Sequence, residues 1–355
     1  MNPIRVLLVE DSVTQREILR RILEEEHDIQ VVSEARNGME GVAQARSHAP
    51  EVIVTDAWMP ELDGAGMTLA ILAERGVPIV VISEKFVKEG RNLAVECLAA
   101  GALVALEKPA GPAIAHLHAM GGNLRRTVRE LSGIRIRRRL PAQSRKAGDD
   151  VALRALLNNG RPIEVVGIAS STGGPPALAE LLGALPPDFE IPLLLVQHIS
   201  AGFEVGFCAW LGEHIQLPIR LAQPRAPLHP GVTLARQGAH MILDYDGQIA
   251  FAPARDGEYH VPSADRLFDS LADVMGDRAL GVVLTGMGSD GARGLARMRE
   301  AGARTIAQSE ETSLIWGMPG EAVRSGAAMG QASPRAIGEL LIPAARPQCR
   351  AASRS

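Results

Sequence analysis

Five short apolar runs, each followed by a stretch with helical spacing, fill the first 110 residues and leave few folds open. The runs are 4–9, 29–32, 52–55, 78–83 and 102–106. After the first, Ile18, Leu19, Ile22 and Leu23 fall on one face of a helix over 13–25. Repeated strand–helix alternation implies a parallel sheet covered on both faces, a doubly wound α/β unit.

The residues that end these strands are chemically alike. The first run ends in Glu10-Asp11, the third in Asp56, the fourth in Ser83 and the fifth in Lys108-Pro109. In a parallel sheet these carboxyl ends share one edge, so three acids, a hydroxyl and an ammonium converge there. Three carboxylates repel one another unless a hard cation neutralises them, and Mg²⁺ suits such oxygen donors. A carboxylate beside Mg²⁺, a lysine and a hydroxyl is suited to accepting a phosphoryl group, because the cation and the lysine offset the developing charge.

The stretches "LLVEDS", "IVTDAWMPELDG", "VVIS" and "LEKP" resemble the receiver domain of bacterial response regulators along this whole segment. The resemblance implies a five-stranded, flavodoxin-like sheet, Asp56 as phosphate acceptor, Glu10, Asp11 and Asp56 as metal carboxylates, and Trp58 as a backbone-carbonyl ligand. It implies Ser83 and Lys108 as the phosphate-sensing pair. Ala105 stands where receivers usually carry an aromatic switch residue.

The second half repeats the α/β logic with other chemistry. "IEVVGI" at 163–168 is a β-branched strand, and Pro175 and Pro176 suit the first turn of the helix that follows. Ser170 and Ser171 therefore sit on a strand-to-helix turn rich in glycine. A serine is a weak nucleophile without a base in reach, and that base needs an orienting acid. His198 ends the strand at 191–198, and Asp290 follows the strand at 279–286. The three can meet at one sheet edge, although His240 and His260 compete as base on spacing alone. Asp246-Gly247 marks a hairpin within "MILDYDGQIAFAPA".

The motifs "SSTGGP", "LVQHISAGF", "AHM", "PSADRLF", "GVVLTGMGSDGARG", "TIAQ" and "WGMPGEAV" resemble, in order, the catalytic domain of the chemotaxis receptor protein-glutamate methylesterases, the CheB family. The resemblance implies hydrolysis of glutamate methyl esters, and deamidation of glutamines, on the cytoplasmic helices of chemoreceptors. It makes Ser171 the nucleophile, His198 the base and Asp290 its orienting acid, with Thr172 and Met287 supporting the oxyanion through backbone N–H groups. No cofactor is expected for the esterase step. The receiver is expected to cover the active site until a chemotaxis-type histidine kinase phosphorylates Asp56. Three positions depart from the family pattern: Ala169 for glycine, Arg236 for proline and Val261 for arginine.

Charge divides the chain. Residues 1–112 carry 11 Lys/Arg against 18 Asp/Glu, residues 113–162 carry 11 against 3, and the overall net of −4 leaves the remainder acidic. The expected organisation is a receiver at 1–112, a basic linker at 113–162, a larger, mostly parallel α/β methylesterase domain at 163–345, and a flexible tail at 346–355. A basic run can bind nucleic acid, but no recognition motif accompanies this one, so no nucleic-acid partner is expected. "STGG" lacks the spacing of a dinucleotide loop. No apolar run is long enough to span a membrane and no signal peptide opens the sequence. Three scattered cysteines suit a reducing compartment, so the expected location is the cytoplasm, without membrane insertion. The rival reading is a phosphorylation-dependent receptor-binding regulator with weak or no esterase activity.

Overall fold

The computed structural model describes residues 2–83, 92–108, 114–134, 136, 153–155, 157, 161–255, 257–258 and 260–345. The chain forms two compact units, one built from residues 1–139 and 199–210, the other from 140–198 and 211–355.

In the first unit β1 (Ile4–Val9), β2 (Ile29–Ala35), β3 (Val52–Asp56), β4 (Ile79–Ser83) and β5 (Val104–Glu107) form a sheet of order β2-β1-β3-β4-β5. Every neighbouring pair is parallel. β3 and β4 are buried along their whole length, as strands covered on both faces must be. The helices between them are α1 (Val13–Glu24), α2 (Gly38–His48), α3 (Gly64–Glu74) and α4 (Leu93–Ala100). Each starts at a side-chain cap: Ser12, Asn37, Asp63 and Asn92 accept the backbone N–H three residues on. The order reverses at β1 and β3, so the crevice opens at their carboxyl ends, where Glu10 and Asp56 lie.

A fifth helix, α5 (Ile114–Ser132), occupies the start of the stretch read as a linker. It packs on α1, and two of its arginines are held at the end of that helix. Arg125 pairs with Glu25 and Glu26, and Arg129 with Glu26 and Asp28. These two arginines are therefore matched to acids of the first unit, which charge counting by segment conceals. Pro109, residues 137–152 and the tail at 346–355 lie outside the described residues.

The second unit is built on seven strands in the order β15-β14-β13-β6-β7-β10-β8. These are β6 (Val165–Ser170), β7 (Pro192–Gln197), β8 (Ile219–Leu221), β10 (Gly231–Leu234), β13 (Ala279–Val283), β14 (Arg304–Gln308) and β15 (Gly330–Ala332). All six pairings are parallel. The antiparallel component is a separate small sheet of β11 (His240–Leu243), β12 (Gln248–Ala252) and β9 (Ala226–Pro227), which holds the Asp246-Gly247 turn. β6 lies between β7 and β13, where the strand order reverses, and the crevice again opens beyond its carboxyl end. The remaining helices are α6 (Gly174–Leu182), α7 (Glu204–His214), of which 204–210 belong to the first unit, α8 (Ala264–Val274), α9 (Ala292–Glu300), α10 (Met318–Arg324) and α11 (Pro334–Ala345).

Candidate active site and phosphoacceptor site

At the crevice of the first unit, oxygens of Glu10, Asp11 and Asp56 lie within 4.8 Å of one another. Glu10 and Asp56 are buried and Asp11 is exposed. Lys108 bridges the two buried acids, its Nζ 2.5 Å from Asp56 Oδ2 and 3.1 Å from Glu10 Oε2. Burial pushes the Glu10 carboxyl up to about 7, against the attraction of Lys108 and with the repulsion of Asp56. Burial raises the Asp56 pKa too, again opposed by Lys108. The Lys108 ammonium is disfavoured by burial, yet the two acids outweigh this and hold its pKa above the ordinary value.

One cation among three carboxylates leaves the cluster short of positive charge. Hard oxygen donors so placed fit a hard divalent cation. The Trp58 N–H donates to Asp56 Oδ1 at 3.3 Å, which sets Trp58 beside the cluster. Ser83 ends β4, buried, and its carbonyl accepts the Lys108 N–H at 2.8 Å. Ala105 is buried in β5, opposite Val81.

In the second unit the strand register sets the geometry. Ser170 pairs with Gln197, and the His198 N–H donates to the Ser170 carbonyl at 2.9 Å. Ser171 and His198 thus leave adjacent strand ends together. On the other side, the Ser171 N–H donates to the Thr285 carbonyl at 3.0 Å, beyond the end of β13. Asp290 follows five residues later, and its Oδ2 lies 2.8 Å from His198 Nε2. The opposite ring nitrogen, Nδ1, is buried and has no hydrogen-bond partner among the described residues.

Burial would raise the Asp290 carboxyl, but His198 and the N–H groups of Ala264 and Asp265 outweigh it and hold the acid well below the usual carboxylate range. His260 stacks on His198, with ring centroids 4.4 Å apart and planes within 6°. Burial first, then the neighbouring His198, lowers the His260 pKa, and Asp290 opposes them. His240 lies elsewhere: it is fully buried, accepts the Ser263 N–H on Nδ1 at 3.0 Å, and faces Glu258 through Nε2 at 2.8 Å.

The glycines after the serines are sterically required. Gly173 has φ +77°, and a Cβ on Gly174 would lie 2.0 Å from Gln197 Oε1. Gln197 gives the reason for that crowding. Its amide nitrogen donates to the carbonyls of Ser171 and His198, each at 2.9 Å, and its oxygen accepts the Ser170 hydroxyl. Thr172 is buried, and its carbonyl lies 3.0 Å from Thr285 Oγ1. Met287 is half-buried beyond Gly286. Neither the Thr172 nor the Met287 N–H has a hydrogen-bond partner among the described residues.

Of the departures, the Ala169 methyl lies in the core and the Arg236 Nε donates to the Ala222 carbonyl at 2.7 Å. Val261 is half-buried beside His260. Sequence reasoning missed Gln197, Ser263 and Gln308, whose Oε1 accepts the Thr285 N–H at 2.7 Å. All lie within motifs, but nothing local shows that their side chains bond across strands.

Family models match both units: the CheB methylesterase model over residues 166–341 and the response regulator receiver domain model over residues 6–119. A protein-glutamate methylesterase/protein-glutamine glutaminase of Anaeromyxobacter dehalogenans is 40% identical over 341 residues, covering 95% of this chain and 98% of the relative. One from Nitrosospira multiformis is 37% identical over 327 residues, covering 92% of each. Among solved structures, the Thermotoga maritima CheB methylesterase catalytic domain is 30% identical, with TM-score 0.48, over 52% of this chain and 99% of that one.

Proposed function

Because the chain belongs to the CheB family of protein-glutamate methylesterases carrying a receiver domain, we propose that it demethylates glutamate methyl esters, and deamidates glutamines, on the cytoplasmic helices of chemoreceptors under control of Asp56 phosphorylation. The observation that carries the reading is the His198–Asp290 pair at the strand end next to Ser171.

Asp290 is held ionised and accepts a hydrogen bond only from a protonated nitrogen, so His198 carries its proton on Nε2. The lone pair is then on Nδ1, the buried atom without a partner, and Nδ1 takes the proton of Ser171 Oγ. Oγ adds to the side-chain ester carbonyl, and the oxyanion receives the unpartnered N–H groups of Thr172 and Met287. His198 returns its proton to the leaving methoxide and methanol departs. Water, deprotonated by the same nitrogen, then adds to the acyl-enzyme and releases glutamate and Ser171. A primary amide follows the same course, with ammonia leaving. The Asp290 carboxylate offsets the imidazolium that forms twice in each cycle.

In the receiver unit, Asp56 accepts a phosphoryl group from a chemotaxis-type histidine kinase. Glu10, Asp11, Asp56 and the Trp58 carbonyl are the residues that would hold Mg²⁺, which supplies the positive charge the cluster lacks. Lys108 stays beside the acceptor, and Ser83, at the neighbouring strand end, contacts the new phosphoryl oxygens. Within the described residues no helix is long and apolar enough to cross a membrane. The test is methanol release from methylated chemoreceptor membranes, with and without a small phosphodonor. Donor-stimulated release that is lost on Asp56→Asn is expected. No release under either condition would favour a receptor-binding regulator.

A further inference from the structure

The residues that hold Asp290 come from another part of the chain. Helix α8 begins at Ala264, and its first N–H groups converge on this carboxylate. Ala264 donates to Oδ2 at 2.7 Å and Asp265 to Oδ1 at 3.1 Å. Ser263 occupies the N-cap position of α8, where a serine oxygen ordinarily accepts an N–H of its own first turn. It makes no such bond. Its hydroxyl instead donates to Asp290 Oδ1 at 2.8 Å, so that Asp290 caps α8 and Ser263 contributes a further donor.

Ser263 is itself held from behind. Its N–H donates to His240 Nδ1 at 3.0 Å. A backbone N–H can only donate, so Nδ1 carries the lone pair and Nε2 the proton, which is directed at Glu258 Oε2, 2.8 Å away. His240 is fully buried, and Ser263 is 8% exposed. Asp265 closes the arrangement by accepting the N–H groups of Gly291 and Gly294, at 3.0 and 2.7 Å, next to Asp290 and in the first turn of α9.

We propose that Ser263 is a positioning residue of the hydrolytic site: anchored by buried His240, its hydroxyl fixes the Asp290 carboxylate so that Oδ2 faces His198 Nε2. The inference rests on the Ser171–His198–Asp290 reading above. Without the hydroxyl, the donors left to Oδ1 among the described residues are the N–H groups of Asp265 and Gly291, at 3.1 and 3.0 Å. The carboxylate gains rotational freedom, and His198 loses part of its alignment toward Ser171. The fault lies in the chemical step and leaves the receptor-binding surface alone, so kcat moves and KM does not.

The test compares the full chain with its Ser263→Ala and Ser263→Thr variants, each stimulated by a small phosphodonor, on methylated receptor membranes. The His198 Nε2–H resonance is followed in the same proteins by NMR with labelled histidine. Ser263→Ala is expected to lower kcat about tenfold to a hundredfold, the range for losing a hydrogen bond to a charged group, with a shifted His198 proton. Ser263→Thr, which keeps the hydroxyl, is expected to recover most of that loss. A Ser263→Ala enzyme within about twofold of the parent, with an unmoved resonance, would overturn the proposal. So would a loss that Ser263→Thr, folded as stably as the parent, fails to recover. Hydrolysis surviving Ser171→Ala would sink the underlying reading instead, while the resonance would still report whether Ser263 holds Asp290.

Discussion

The Ser170 hydroxyl donates to Gln197 Oε1, and this bond separates the roles of two adjacent serines. Ser170 is fully buried at the end of β6 and engaged across the sheet, whereas Ser171, one residue on, is half-buried at the head of the turn. Replacing Ser170 by alanine leaves a buried amide oxygen without its donor. A destabilisation of about 1–3 kcal/mol is expected, read by urea unfolding, with kcat retained within about tenfold. Complete loss of turnover in a folded Ser170→Ala protein would contradict this division.

Gly174 makes a second prediction. Any side chain there meets the Gln197 amide, which supports the carbonyls of both Ser171 and His198. Gly174→Ala should cost about 1–3 kcal/mol of stability through overpacking and should reduce kcat at the same time. Unchanged stability and turnover would show that Gln197 has room to move.

The acidic cluster predicts a stabilising cation. Mg²⁺ bound to the folded receiver but not to the unfolded chain should raise stability, by about 2.7 kcal/mol at a hundredfold excess over its dissociation constant. Asp11 is exposed, so Asp11→Asn should fold normally and lose this increment. An equal Mg²⁺ effect in both proteins would place the cation elsewhere.

His260 predicts a pH dependence of stability. Its folded pKa lies below the ordinary histidine value, so the unfolded chain binds more protons at this position as pH falls through about 6.5. This contribution to stability is complete above that pH and is lost as the solution is acidified. His260→Phe keeps a ring over His198 and removes the titration, so its urea midpoint should fall less between pH 7.5 and 5.5. Parallel pH curves for the two proteins would contradict the assignment.

Much of this was legible in the sequence because strand ends are local features. Glu10, Asp56, Ser83 and Lys108 each close an apolar run, and a parallel sheet has to bring such ends to one edge. The same logic brought Ser171 and His198 to neighbouring strand ends. It could not show the two faces of the His198 ring, because the choice of Nε2 for Asp290 depends on where α8 begins. Ser263 illustrates the limit: a serine ahead of an amphipathic helix signals a cap for that helix, yet its hydroxyl goes to a residue 27 positions away. The helix over Ile114–Ser132 was hidden for a related reason, since an arginine-rich stretch looks like a tether until the acids that follow α1, Glu25, Glu26 and Asp28, are placed beside it.

The most direct test of the central claim is the rate of methanol release from methylated chemoreceptor membranes by the full chain and its Ser171→Ala variant, with phosphodonor present. The account predicts a loss of at least about a thousandfold for Ser171→Ala, in a protein that folds as stably as the parent. Turnover persisting in Ser171→Ala would contradict the assignment of this serine as the nucleophile.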